Sequence, residues 1–350
     1  MTPFISIIMP TYNCEKYIER SISAIYVQSF NDWELLVVDD CSTDRTPELV
    51  RKWEEKDSRI SLIRKEKNSG PGDAKNIGLS KARGKYISFC DADDWIEEDA
   101  LELLSDKGTV DFDVIVAGYY RDVCDEKGNL YERNLVSMSA LEVIQQKNVI
   151  TSIIKLDQHR LFSFACNKLY KTEIVKEKNI HFSDKKFGED FDFNITFFQF
   201  AESVKVLETG FYHYIKQNKE SLTERFIPDF YEINRERFDK MCILMKEYDC
   251  FDQQLRQIVM TLYIKHMLAA IARLYDRRGA LTSRYRREKT KKILSDCMSV
   301  EAARYAKGSS KAEKFYVAIF KTRLVTLNLL FGKVLWLLQT KGKKFFEKIK

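Results

Sequence analysis

The sequence predicts an α/β protein: a mostly parallel sheet with flanking helices, then a helical carboxyl-terminal region ending in a basic amphipathic segment. Three observations carry this. Strand-like and helix-like patterns alternate through the first hundred residues, the order that yields a parallel sheet covered by helices. Polar and acidic residues collect where those strands end, and open sheets of this kind bind ligands beyond the carboxyl ends of their strands. The charge is split: residues 307–350 hold eleven Lys/Arg and two Glu, a net +9, which leaves −3 of the overall +6 for the first 306.

The elements follow in order. Ile5-Ser6-Ile7-Ile8-Met9 is a short apolar, β-rich run. Tyr17, Ile18, Ile22, Ala24 and Ile25 set a helical stripe within residues 15–28. Trp33-Glu34-Leu35-Leu36-Val37-Val38 is the second strand, stopped by Asp39-Asp40. Thr46-Pro47 reads as a cap with proline at the first helical position, opening a helix that runs to about Lys56. A third strand covers 60–63, a turn cluster follows at 68–72, a helix covers 73–83, and the fourth strand covers 86–90. Beyond 110 the alternation weakens. Strands are expected at 114–116, 204–207 and 211–215, and an aromatic-rich helix at 189–201, all completing a mixed sheet in the same domain. Residues 229–306 read as helical.

Composition narrows the class. With 45% apolar and 13% aromatic residues the chain has ample material for a core, and five prolines argue against long disordered linkers. Eight cysteines show no CxxC pair, which fits a reduced, cytoplasmic protein rather than a disulfide framework. The start enters a strand without a basic n-region, so no signal peptide is expected. The mildly acidic body argues against nucleic acid as a partner, and the basic tail points to an anionic surface.

The feature richest in chemistry is Cys90-Asp91-Ala92-Asp93-Asp94-Trp95, directly after the fourth strand. Carboxylates at the mouth of a buried strand are costly unless a cation sits against them. Mg²⁺ and Mn²⁺ favour carboxylates together with substrate phosphates. The alternative is an Asp-rich turn capping a helix near Glu97.

Six ordered segments then resemble a bacterial family 2 glycosyltransferase with the GT-A fold. They are Ser6-Ile7-Ile8-Met9-Pro10-Thr11-Tyr12-Asn13; Val37-Val38-Asp39-Asp40-Cys41-Ser42-Thr43-Asp44; residues 68–78; residues 86–95; Asn167-Lys168-Leu169-Tyr170; and Gly188-Glu189-Asp190. The resemblance covers about residues 3–225. It implies a nucleotide-binding part (1–110) and an acceptor part (111–225), with a helical region (226–306) and a basic amphipathic tail (307–350) after them.

The resemblance also implies roles. Pro10, Thr11, Tyr12 and Asn13 would line the nucleotide base, and Asp40 would accept a hydrogen bond from a uracil ring while Asp39 is structural. Asp91-Ala92-Asp93 resembles the DxD motif. Asp93 would bind Mn²⁺ or Mg²⁺ directly, and Asp91 would reach the ribose or a metal-bound water. Asp94 is either a helix cap or a ligand contact. Lys75 stands where relatives often carry Arg, so it is either a phosphate or base contact or a solvated helix lysine. Asp190 would be the catalytic base and Glu189 would orient the acceptor. His213, with Lys216 and Ser221-Leu222-Thr223, lies where relatives place residues near the diphosphate, though a plain strand residue is an equal reading of His213.

In the tail, apolar runs between 314 and 338 alternate with sparse lysines, and the longest charge-free stretch is nine residues, 324–332. That is too short to span a bilayer, which takes about 20 residues. It suits a helix in an anionic interface, reached through residues 310–350, or else a helix packed on the domain or a second subunit. The expected protein is therefore a metal-dependent inverting transferase, peripheral on the inner face of the cell membrane. It would move a sugar from a nucleotide-sugar donor, a UDP-sugar first among them, to a glycan or lipid-linked glycan acceptor in surface polysaccharide synthesis. The rivals are a non-catalytic membrane-docking partner of another transferase and a sugar nucleotidyltransferase. The latter is disfavoured because Pro10-Thr11-Tyr12-Asn13 stands where it needs a Gly-rich basic loop.

Overall fold

The computed structural model describes residues 2–105, 111–125, 128–217 and 226–347, with side chains of the last helix through Leu338 and at Thr340. Ser221-Leu222-Thr223 and residues 348–350 lie outside the described residues. The chain divides into two compact units, Met1–Ser221 and Leu222–Lys350.

The first unit runs β1 (Ile5–Thr11), α1 (Ile18–Tyr26), β2 (Trp33–Asp39), α2 (Thr46–Lys56), β3 (Ile60–Arg64), α3 (Pro71–Lys81), β4 (Tyr86–Phe89), β5 (Trp95–Ile96), α4 (Ala100–Ser105), β6 (Val114–Cys124), β7 (Leu130–Val136), β8 (Leu141–Ile144), α5 (Gln146–Gln158), β9 (Lys168–Lys171), α6 (Thr172–Glu177), α7 (Glu189–Phe200) and β10 (Ser203–Gln217). Its ten strands form one sheet in the order β3-β2-β1-β4-β9-β6-β10-β5, with β7 on β6 and β8 on β10. Strands β3, β2, β1 and β4 run parallel to one another. The sheet turns mixed at β9, which runs antiparallel to both β4 and β6.

Strands β1 and β2 are buried along their whole length, which is why they read as unbroken apolar runs. Helix α3 packs on both, while α1 buries Ile18, Ser21, Ile22 and Ile25 and packs on β5 and α2. The opening of α2 differs from expectation. Thr46 is its first helical residue and Pro47 lies in its first turn. Arg45 takes the cap position without a side-chain bond, and Asp44 before it accepts from the Thr46 amide through Oδ1 at 2.9 Å. Thr46 Oγ1 accepts from the Cys14 amide at 2.8 Å, tying the exit of β1 to α2.

The strands expected at 204–207 and 211–215 are one strand, β10. Its register against β6 slips between Leu207 and Tyr212. Gly210 pairs with Gly118 at the slip, and a Cβ on Gly118 would come within 2.8 Å of the Val136 carbonyl oxygen. A break in the apolar pattern thus marks a bulge and not a loop.

The second unit is helical: α8 (Phe230–Glu247), α9 (Gln253–Arg273), α10 (Ser283–Ser295), α11 (Cys297–Tyr305), α12 (Lys311–Lys321) and α13 (Val325–Glu347). Helices α8, α10, α11, α12 and α13 all pack on α9, whose buried residues include Val259, Met260, Tyr263, Ile264, Met267 and Ile271. Among the described residues no helix is long and apolar enough to cross a membrane.

Candidate active site

The site forms at the carboxyl ends of β1, β2 and β4, where the parallel strands deliver their loops. Asn13, just past β1, adopts a left-handed backbone (φ 50°), a conformation Asn tolerates better than most residues. Its Oδ1 accepts from the Thr43 amide and its own amide donates to Ser42 Oγ, both at 2.9 Å. These bonds lock the β1 and β2 exits together. Pro10 and Thr11 are buried within β1, while Tyr12 is 47% exposed.

Asp39 is fully buried, accepts from the Ser42 amide at 3.3 Å and faces Arg64 at 3.4 Å. This is the structural duty expected of it. Asp40 has a structural duty as well. Its carboxylate accepts from Lys65 Nζ, from the Ser69 amide at 2.9 Å and from the Gly70 amide at 2.7 Å. Asp40 thereby anchors the loop that opens α3.

The loop 91–94 is held from two sides. Ser21 Oγ lies 2.8 Å from the carbonyl oxygen of Ala92 and 2.5 Å from that of Asp94. Arg20 donates to the carbonyl oxygen of Asp93 between them. On the other side the Asp91 amide donates to Tyr212 Oη at 3.2 Å, and the Tyr212 hydroxyl donates to Asp94 Oδ2 at 2.5 Å. The Ile215 amide donates to Asp94 Oδ1 at 2.8 Å. Asp94 is therefore a buried pin between the loop and β10, neither a helix cap nor a ligand contact. Asp91 and Asp93 keep their carboxylates for the cleft, and Asp93 is solvent-exposed.

Lys75 is buried, not solvated. Its Nζ lies 2.6 Å from Asp190 Oδ1, and its ammonium sits 4.9 Å from the Phe182 ring centroid. Burial works to lower the Lys75 pKa, but the charges of Asp190, Asp91 and Glu189 outweigh it and raise the group above its ordinary range. Asn76 fixes the same turn of α3, exchanging two hydrogen bonds with the Phe182 backbone at 2.9 and 2.7 Å. Gly72 lets α3 approach, since a Cβ there would sit 2.8 Å from the Ser183 carbonyl oxygen.

Glu189 and Asp190 open α7 after Gly188, which has φ 88°. A helix amino terminus favours the charged form of a carboxylate. Asp190 Oδ2 accepts from the Ala165 amide at 3.1 Å. The loop carrying Ala165 is fixed by Lys168, whose buried Nζ donates to the carbonyl oxygens of Leu161 (2.7 Å) and Phe164 (2.5 Å) and to Asn167 Oδ1 (2.8 Å). Asn167 in turn donates to the Ala117 carbonyl oxygen at 2.8 Å. Burial and the Asp190 charge push the Glu189 carboxyl up to about 7. Burial pushes Asp91 up to about 6, although Lys75 pulls the other way.

Three carboxylates thus surround one ammonium, with Asp93 at the rim. The surplus negative charge and the raised carboxyls of Asp91 and Glu189 are what a further cation would relieve. Among the described residues no group of three or more His, Cys, Asp or Glu side chains is arranged to hold a metal alone. Asp91 and Asp93 fit a hard divalent cation that takes its remaining ligands from water and a diphosphate.

His213 is elsewhere. It is fully buried, with Nδ1 2.9 Å from Asp122 Oδ2 and Nε2 2.8 Å from Glu97 Oε1. Trp95 stacks on it at 3.6 Å and Tyr120 at 4.7 Å. Burial acts to raise the Asp122 carboxyl, but Arg133, bound through two contacts of 2.8 Å, and His213 hold it below the usual range. Both ring nitrogens and both faces of His213 are taken, which leaves no atom to offer a diphosphate.

Residues 6–177 match the family model for glycosyl transferase family 2. The chain carries a family 2 glycosyltransferase domain. Among curated family 2 relatives it is similar to the uncharacterized glycosyltransferase EpsJ of Bacillus subtilis, 31% identical over 226 residues, 64% of each chain. It is also similar to the poly(ribitol-phosphate) beta-N-acetylglucosaminyltransferase TarS of Staphylococcus aureus, 30% identical over 237 residues, 66% of this chain and 39% of TarS. The chain thus spans less than two thirds of the length of either relative. Among solved structures, S. aureus TarS 1–349 in complex with UDP superposes with a TM-score of 0.64 at 22% identity, covering 94% of this chain and 90% of that one. The family 2 domain therefore has the GT-A fold expected from the six segments.

Proposed function

We propose that the protein is a metal-dependent inverting glycosyltransferase. Its donor is a nucleotide-sugar, with UDP-N-acetylhexosamine or another UDP-hexose first in line. Its acceptor is a hydroxyl of a growing surface polysaccharide (capsule, exopolysaccharide or lipopolysaccharide), free or lipid-linked. The observation that carries this reading is the joined cluster of Asp91, Lys75, Asp190 and Glu189, which sets a cation-demanding carboxylate site beside a charged base. TarS supports the donor class: its name gives N-acetylglucosamine transfer, and it has been solved with UDP and with UDP-GlcNAc.

In this reading Tyr12 and Asn13, backed by Pro10 and Thr11, face the nucleoside, and Asp40 fixes the loop behind them. Asp91 and Asp93, with Ala92 between them, hold Mn²⁺ or Mg²⁺. The bound cation supplies charge neutralisation to the departing diphosphate. The acceptor oxygen attacks the anomeric carbon as the bond from that carbon to the diphosphate oxygen breaks, which inverts the centre. Asp190 takes the hydroxyl proton, and Glu189 orients the acceptor. Lys75, 2.6 Å from Asp190 Oδ1, holds that carboxylate in position. The protein works at the inner face of the cell membrane, in contact with it through residues 310–350.

A donor panel tests the reading. Purified protein with Mn²⁺ or Mg²⁺ is offered each common nucleotide-sugar, and released nucleoside diphosphate is measured. Slow hydrolysis of one UDP-sugar, lost in chelator and in Asp93→Ala, is the expected result. Silence across the panel, together with no thermal shift on adding UDP and Mn²⁺, would overturn it.

A further inference from the structure

From Val325 to Leu338 helix α13 is largely apolar, and among the described residues one side of this stretch is buried while another is exposed. Asn328 and Gly332 face inward and are buried. A Cβ on Gly332 would lie 2.6 Å from Ile271 Cγ2, so this side presses directly on α9. The other side shows Leu327, Leu330, Val334 and Leu338 at three- and four-residue spacing, with exposures from 37% to 64%. Phe315 of α12, 61% exposed, extends the patch and meets the Phe331 ring edge-on at 5.7 Å. A contiguous bare apolar face of this kind marks a surface that meets something else.

The chemistry around the face selects the occupant. Lys321, Arg323 and Lys333 are exposed on the same two helices and their connection. Helix α10, which also packs on α13, adds Arg287 and Lys291, both exposed. The apolar stretch is too short to cross a bilayer. An exposed apolar face with exposed cations on the same and neighbouring helices is the pattern of a surface that meets an anionic lipid interface.

We propose that the bare face of α13, with Phe315, is the surface on which this protein docks to an anionic bilayer. The proposal deepens the membrane contact in the functional reading above, but it stands on the geometry of the helical unit alone. The experiment is flotation of the full chain with phosphatidylcholine vesicles, with and without phosphatidylglycerol. Light scattering and the thermal shift with UDP and Mn²⁺ are measured on the same samples. Expected are binding to the anionic vesicles only, its loss in Leu330→Asp/Val334→Asp, and roughly tenfold or greater weakening in Lys321→Glu/Lys333→Glu. All variants should keep the UDP response. A monomer that floats with neither vesicle overturns the proposal. So does a dimer that Leu330→Asp/Val334→Asp dissolves, which assigns the face to a second copy. A UDP response without flotation sinks the docking alone, and flotation without a UDP response sinks the transferase reading alone.

Discussion

Lys75 Nζ lies 2.6 Å from Asp190 Oδ1, and this one ion pair joins helix α3 to the first turn of α7. The ammonium comes from α3 and the carboxylate from the first turn of α7. Asn76 and Gly72 bring those two elements together. A change at Lys75 therefore removes the charge that faces Asp190 and loosens the link between α3 and α7.

Lys75→Met is expected to be costly in both respects. Removing one partner of a buried pair leaves the other charge unmatched, at about 3–5 kcal/mol. The melting temperature should fall, and turnover should fall about 10²-fold as the base is misplaced. Lys75→Arg keeps the charge and should recover most of the stability. Calorimetry beside donor hydrolysis reads both. A Lys75→Met protein with wild-type melting would mean that the pair does not hold the cleft.

Asp190→Asn should separate chemistry from binding. The amide preserves the shape of the group and still accepts from the Ala165 amide, but it cannot take a proton. Transfer is expected to drop by roughly 10²–10⁴. The thermal shift on adding UDP with Mn²⁺ should stay close to wild type. Loss of that shift as well would remove the role assigned to Asp190.

Glu189 gives a pH signature. Its carboxyl is raised to about 7, so the folded state keeps a proton that the unfolded chain releases near its ordinary value. Between about pH 4.5 and 7 the folded state binds more protons, and stability must fall as pH rises through that window. Asp91, raised to about 6, acts in the same direction. Glu189→Gln lacks the Glu189 contribution. Its melting temperature should therefore gain on wild type as pH goes from 5 to 7 and gain no further above that. A difference that is flat with pH would show that Glu189 is not strained by its surroundings.

Much of this site could be read from the order of residues, because β1, β2 and β4 are buried on both faces and their apolar runs stop abruptly at polar ends. The parts that stayed hidden depend on partners far along the chain. Asp94 looks like a surface cap until Tyr212 and Ile215 arrive from β10. Asp40 looks free until Lys65 and the 69–70 amides fold over it. His213 looks like a ligand until Asp122, Glu97, Trp95 and Tyr120 close around it. Strand β7 was invisible because its residues are largely exposed and carry no apolar alternation. Ser21 did leave a signal: it stands inside the stripe Ile18, Ile22, Ile25, where a hydroxyl needs a buried acceptor.

That acceptor is the loop carrying Asp91 and Asp93. Ser21 and Arg20 hold the carbonyl oxygens of Ala92, Asp93 and Asp94. Three successive carbonyls fixed from one helix leave the loop little freedom to rotate its two carboxylates. Ser21→Ala leaves buried carbonyls without a donor, a cost of about 1–3 kcal/mol, and should lower the melting temperature. Arg20 lies on the exposed side, so Arg20→Ala should barely change melting. It should instead weaken the binding of UDP with Mn²⁺, about tenfold for about 1.4 kcal/mol of lost preorganisation, while Arg20→Lys restores part of it. Titration calorimetry with UDP at fixed Mn²⁺ reads this directly. If Arg20→Ala binds UDP and Mn²⁺ as tightly as wild type, the loop is held by Ser21 and Tyr212 alone, and Arg20 has no part in shaping the site.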